Sequence, residues 1–199
     1  MLLADVHAHL DLFKKEELAA IIGRATVAGV RAIINNSVDP KSMRKTLELQ
    51  QRFKIVKAAL GLYPTEAARL SAAAIEGELN FIHSCRDRIV ALGEIGLDYQ
   101  EAKGERDRLQ QQQLFEQQLE LAKQLGKPVI VHSRQAEKGV VETLVRYGCR
   151  KAVLHAFHGS VKLAKAAADA GFYITIPTNV RRSSHFQAIV KELPLSRLL

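Results

Sequence analysis

The chain opens Asp5-Val6-His7-Ala8-His9, with two histidines two positions apart. In an extended strand, residues i and i+2 point to the same face. His7 and His9 can therefore present two imidazoles to one point, which suits a divalent transition metal. An H-x-H alone is equally compatible with a structural pair. Three more residues of ligand type close apolar runs: Glu94 after Ile89–Gly93, His132 after Pro128–Val131 and His155 after Ala152–Leu154. A carboxylate or imidazole at the end of an apolar strand is costly without a partner, so convergence of all five on one centre is the economical reading. Four histidines and one carboxylate exceed the needs of one tetrahedral ion. They suit two divalent metal ions, Zn2+, Mg2+ or Mn2+, bridged by Glu94, which becomes the candidate catalytic residue. Such a pair activates water and clamps the oxygens of an in-line phosphoryl displacement.

These residues need strands to carry them. Short apolar runs rich in β-branched residues occur at Leu2–Asp5, Val30–Ile34, Ile55–Leu60, Ile89–Glu94, Val129–His132, Ala152–His155 and Phe172–Ile176. Segments with helical spacing separate them, among them Glu17–Ala28, Ser42–Phe53 and Arg106–Gly126. The last ends at Gly126 and Pro128, which stop a helix and start a strand. Its Gln110–Gln113 run reads as a solvated helix face. Repeated strand–helix alternation predicts a parallel sheet with helical crossovers, either doubly wound or a barrel. No G-x-G-x-x-G follows the first strand, which weakens the dinucleotide-binding version. The expected fold is an α/β, TIM-type (β/α)8 barrel over residues 1–199, a single domain. It is incomplete: seven strands are present and an eighth begins only at Arg197-Leu198-Leu199. A full barrel takes about 250 residues. Unpaired first and seventh strands predict reduced stability and a tendency to associate.

Composition bounds the rest. The 199 residues are 47% hydrophobic and 25% charged, ordinary for a globular chain and not for a disordered one. No apolar run approaches the ~18 residues of a membrane span, and the start lacks the basic segment of a signal peptide. Cys85 and Cys149 form no C-x-x-C pair, which fits a reduced, cytoplasmic setting. The net charge of +8 favours an anionic partner such as nucleic acid, although solubility alone accounts for it equally well.

The motifs resemble those of the TatD family of metal-dependent hydrolases. Asp5-Val6-His7-Ala8-His9-Leu10 is similar to the family's D-x-H-x-H-L, and Gly93-Glu94-Ile95-Gly96-Leu97-Asp98 to its G-E-I-G-L-D. Pro128–Arg134 resembles P-x-x-x-H-x-R, and His155-Ala156-Phe157-His158-Gly159 resembles H-x-F-x-G. The resemblance implies a barrel of the amidohydrolase type, with metal bound by His7, His9, Glu94, His132 and His155. It further implies cleavage of DNA phosphodiesters, often as a 3′-to-5′ exonuclease, with DNA as substrate and no membrane or obligate protein partner. Two departures stand out. Gly61-Leu62-Tyr63-Pro64 occupies the place of G-x-H-P, so Tyr63 replaces a histidine. The family's closing E-T-D-x-P, whose aspartate is a metal ligand and general base, does not appear. Neither Asp98 nor Asp169 replaces that aspartate on sequence grounds, so turnover by this chain is expected to be severely reduced.

Arg134, Tyr63 and His158 are the candidate substrate contacts. Arg134 can hold a phosphate or form a structural ion pair. Asp5 is expected to orient a histidine from the inward face of its strand. His83 reads as structural. His185, with Arg181 and Arg182, lies in a loop that can meet phosphate or only solvent. Alternative activities are hydrolysis of small esters, amides or D-aminoacyl-tRNA on the same metal pair, or non-catalytic binding of metal or nucleic acid.

Overall fold

The computed structural model describes residues 3–199. Seven strands form one parallel sheet in sequential order: β1 (Leu3–Ala8), β2 (Val30–Asn36), β3 (Val56–Leu60), β4 (Ile89–Asp98), β5 (Val129–Arg134), β6 (Ala152–Leu154) and β7 (Tyr173–Ile174). The crossovers are α1 (Leu18–Val27), α2 (Pro40–Arg52), α3 (Glu66–Arg69), α4 (Ala72–Ser84), α5 (Glu105–Leu125), α6 (Glu137–Arg146) and α7 (Val161–Asp169), followed by α8 (Ser184–Glu192). This is the incomplete TIM-type barrel that the alternation predicts. After α8, Leu198 bridges Ile174 in parallel, and backbone bonds run from Leu199 N to Ile174 O and from Ile176 N to Leu199 O. An eighth strand thus begins on the free edge of β7.

Local chemistry explains the elements. Asp39 accepts from Ser42 N while the Ser42 hydroxyl accepts from Asp39 N, a capping box with Pro40 at the first helical position of α2. Gly126, at φ +63°, ends α5 in the left-handed conformation. The central strands are apolar on both faces, as strands under helices must be. Leu92, Ile95 and Leu97 of β4 and Val129 and Val131 of β5 are fully buried. They pack with Leu114, Phe115 and Leu119 of α5.

Boundaries differ from the sequence expectation in two useful ways. β1 runs on through His7 to Ala8, while Leu2 of the expected run lies outside the described residues. β4 continues four residues past Glu94, to Asp98. The whole G-E-I-G-L-D segment is therefore strand, and Glu94 and Asp98 share one face.

The Gln110–Gln113 run is also corrected. Gln111 is buried, and so is Gln118 one heptad later. The Gln111 amide donates to Asp98 O and accepts from Asp98 N. Gln118 treats Leu62 in the same way. Each amide supplies the paired donor and acceptor of a neighbouring strand where the sheet ladder ends, so α5 is tied to the ends of β3 and β4.

Candidate metal centre

The site forms at the C-terminal ends of the strands. β4 delivers Glu94 into the barrel only because its glycines allow it. A Cβ on Gly93 would lie 2.5 Å from Asn36 Oδ1, and one on Gly96, at φ +135°, would lie 2.1 Å from the backbone oxygen of His132. Glu94 N donates to Ser37 O, which anchors the strand beside β2. On the far side of β1, the turn at Leu10–Leu12 is held by Asn35, whose Oδ1 accepts from Leu10 N and whose amide donates to Thr46.

His7 and His9 meet one oxygen of Glu94. Their Nε2 atoms lie 3.5 and 3.3 Å from Glu94 Oε2 and 3.0 Å from each other. Three ligand atoms at about 2.1 Å around a tetrahedral ion would be about 3.4 Å apart. The observed triangle therefore has the dimensions of one face of a tetrahedral site. Among the described residues, these three form a group whose ligand atoms all lie within 4.8 Å of one another.

His132 meets the other oxygen. Its Nδ1 is 2.8 Å from Glu94 Oε1, and its Nε2 is 3.0 Å from Asp98 Oδ2. Tyr63 closes this side. Its hydroxyl donates to Asp98 Oδ2 at 2.5 Å and stands 3.0 Å from His132 Nε2. His155 lies flat on His7, with ring centroids 3.4 Å apart and planes 10° apart. The Nδ1 atoms of both rings are buried without a hydrogen-bond partner. An orphaned imidazole nitrogen such as that of His155 is expected where a further group completes a site, whereas in His7 the orphan is the ring nitrogen that does not face Glu94.

The charges follow the contacts. Burial pushes the Glu94 carboxyl up, but hydrogen bonds from His132, His7 and His9 outweigh it and hold the group well below the usual range. The hydrogen bond to Glu94 raises His9 against the opposing effect of burial. Burial lowers His132, yet bonding to Glu94 and the nearby Asp98 charge raise it overall. Burial, reinforced by His7, lowers His155 to about 3. Burial and the bond to Asp98 push the Tyr63 phenol up, so it stays a donor.

All five expected ligands line one cavity of about 680 Å³. Arg134 and His158 lie on its rim. Arg134 is half exposed, and its closest acid is Glu101 at 3.9 Å. Asp5 does not orient a histidine ring: it is exposed and accepts from the backbone N–H of His7. Asp98 does not join the His7–His9 side, so it does not stand in for the family's final aspartate. It serves His132 instead, a role visible in the i, i+4 spacing from Glu94 once β4 is extended. His83 is exposed on α4.

A parallel barrel with half-buried histidines and a buried carboxylate at its strand C-termini has the architecture of TIM-type metal-dependent hydrolases. Comparison with known proteins gives the family. The TatD related DNase family matches residues 4–199, and the chain belongs to it. An uncharacterized metal-dependent hydrolase of Bacillus subtilis (strain 168), YabD, is 31% identical across 100% of this chain and 78% of its own length. The human deoxyribonuclease TATDN3 is 32% identical across 98% of the chain and 75% of its own. The crystal structure of the TatD homolog YjjV from Escherichia coli K12 superposes with a TM-score of 0.88 at 32% identity, over 98% of this chain and 76% of that one. Among the described residues, no helix is long and apolar enough to cross a membrane.

Proposed function

We propose that the chain hydrolyses phosphodiester bonds of DNA at a centre of two divalent cations that share Glu94. The observation that carries this reading is the triangle of His7 Nε2, His9 Nε2 and Glu94 Oε2, which matches the face of a tetrahedral metal site. His7 and His9 would hold one cation together with Glu94, and His132 and His155 the other. Bound cations supply Lewis acidity and an activated water.

The chain's own residues do the rest. Asp98 accepts from His132 Nε2 and leaves Nδ1 to face Glu94, so the tautomer and ring angle are fixed. Tyr63 donates to Asp98 and holds that carboxylate in place. Arg134, at the mouth, offers a guanidinium fork to a phosphate. The net charge of +8 favours an anionic polymer over a neutral ester. The deoxyribonuclease named among the relatives supports the same substrate.

The test incubates the purified chain with single-stranded DNA and Zn2+, Mg2+ or Mn2+, beside small esters and aminoacyl-tRNA. Cleavage of DNA that a chelator abolishes supports the reading. Preference for small esters selects the alternative activity. Because turnover is expected to be slow without the family's closing aspartate, the assay runs at high enzyme and long incubation, and metal binding with no cleavage even then overturns the hydrolytic role. Oligonucleotides labelled at one end test the finer proposal of 3′-to-5′ removal.

A further inference from the structure

We propose that His158, His185, Arg181 and Arg182 form a nucleotide-docking subsite beside the metal cavity, with the base stacked on His158 and the adjoining phosphate held by the arginines. The proposal rests on the nucleic-acid reading above and names where the strand lies.

The loop after β6 is built to present His158. Phe157 is fully buried, and a Cβ on Gly159 would sit 2.5 Å from its ring. Ala156 takes a positive φ of 41°, and its N–H donates to Thr175 Oγ1. With its neighbours so constrained, His158 projects outward to the cavity rim and is exposed. Its Nδ1 is 2.7 Å from Ala156 O, which fixes the ring plane. A flat, oriented and solvent-facing ring costs little entropy when a ligand stacks on it.

The ring is also backed. His185 of α8 lies parallel to His158, with planes 2° apart and centroids 5.7 Å apart. Phe186, buried beneath, meets both rings edge-on at 5.0 and 5.2 Å. Three rings thus form one platform from two separate segments. The spacing is too narrow to sandwich a base, so the free face of His158 is the one that receives it. Stacking of this kind accepts any base.

Charge precedes the platform in the chain, on the turn that leads into His185. Thr178–Arg182 forms a short 3-10 turn just before α8, and the Gln187 amide donates to both Val180 O and Arg181 O. Arg181 and Arg182 are exposed and line a polar depression of about 490 Å³. Arg44, Arg69 and Arg146 are paired with Glu78, Glu66 and Glu116. Arg181 and Arg182 have no acidic partner among the described residues. Free guanidiniums on a pinned turn are suited to phosphate.

The test measures equilibrium binding of the full chain to an eight-nucleotide, phosphorothioate-linked oligothymidine by fluorescence anisotropy, beside the same strand made abasic. His158→Ala is expected to weaken binding of the base-bearing strand about 5- to 150-fold and to leave the abasic strand unchanged. Arg181→Ala with Arg182→Ala is expected to lower the salt slope by about 1.4, the value for two lost phosphate contacts on a single strand. Lys54→Ala, the loss of one charge before β3 at the other end of the strands, is expected to do neither. Circular dichroism and thermal melting confirm that each variant is folded. Wild-type binding with equal affinity in the His158 and arginine variants overturns the subsite alone. Failure of the wild-type chain to bind either strand overturns both the subsite and the nucleic-acid reading.

Discussion

The two oxygens of Glu94 face histidines in different circumstances. On the Oε2 side, His7 of β1 and His9 just beyond it meet the carboxylate, β1 being an edge strand whose first residues are exposed. Nε2 of each ring has no carboxylate other than Glu94 within reach among the described residues. On the Oε1 side, His132 comes from the buried middle of the sheet and is held at both nitrogens, by Glu94 and by Asp98. Tyr63 fixes Asp98 in turn. The first side is shaped like a metal face, and the second like a histidine already bonded to two acids. A cation arriving at the second side has to compete with two acids for one histidine, whereas on the first side the imidazoles share Glu94 alone.

The largest effect is expected where the two sides join. Glu94→Gln keeps the side chain's shape but removes the charge that, in the proposed centre, both cations would share. Isothermal titration should show affinity for both ions falling by at least about 100-fold, with hydrolysis at background and circular dichroism unchanged. One ion retained at wild-type affinity would break the shared-bridge account.

Gly96→Ala strikes the buried side alone, because its Cβ would enter the backbone of His132. Denaturant unfolding should show a loss of about 3 kcal/mol or more. Unchanged stability would mean that β4 and β5 can separate locally, and the contrast between the sides would lose its basis.

Asp98→Asn sharpens the comparison further. It should weaken the ion on the His132 side by about 10- to 100-fold and leave the other ion's affinity unchanged, read as a split of two binding steps. Equal loss at both would show that the sides are coupled through Glu94 and not distinct.

The smallest effect concerns protons. His9 and His132 are raised above 6.5, so the metal-free chain keeps protons near neutrality that a free imidazole would lose. Metal binding must expel them, so affinity should climb with pH through neutrality, by up to about tenfold per unit for each proton displaced. His155, lowered to about 3, releases none. Calorimetry in buffers of different ionisation heat counts the protons, and an affinity flat with pH would contradict the assignment.

Much of this arrangement is legible in the residues. The strand–helix alternation gives the parallel barrel, and the period-two spacing of His7 and His9 gives one corner of the site. What the sequence hides is side-chain competition. Asp98 looks like a residue beyond its strand, because an apolar run closing at Glu94 masks the four residues that follow. Gln111 looks solvated because a glutamine run on a helix usually is, and nothing local reveals that α5 faces two strand ends. Asp5 shares a parity with His7, but parity assigns a face without saying that the face of an edge strand is buried.

The paired amides of Gln111 and Gln118 make α5 a ruler. Seven residues of helix span about 10.5 Å, and that length is fixed against Asp98 at one mark and Leu62 at the other. Asp98 sets His132, and Leu62 precedes Tyr63. Slippage of the outer helix by a single turn would move both neighbours of His132 at once, from the opposite face of the sheet. The tolerance of the inner site is thus written on the outside of the barrel, in the spacing of two neutral side chains that touch neither metal nor substrate.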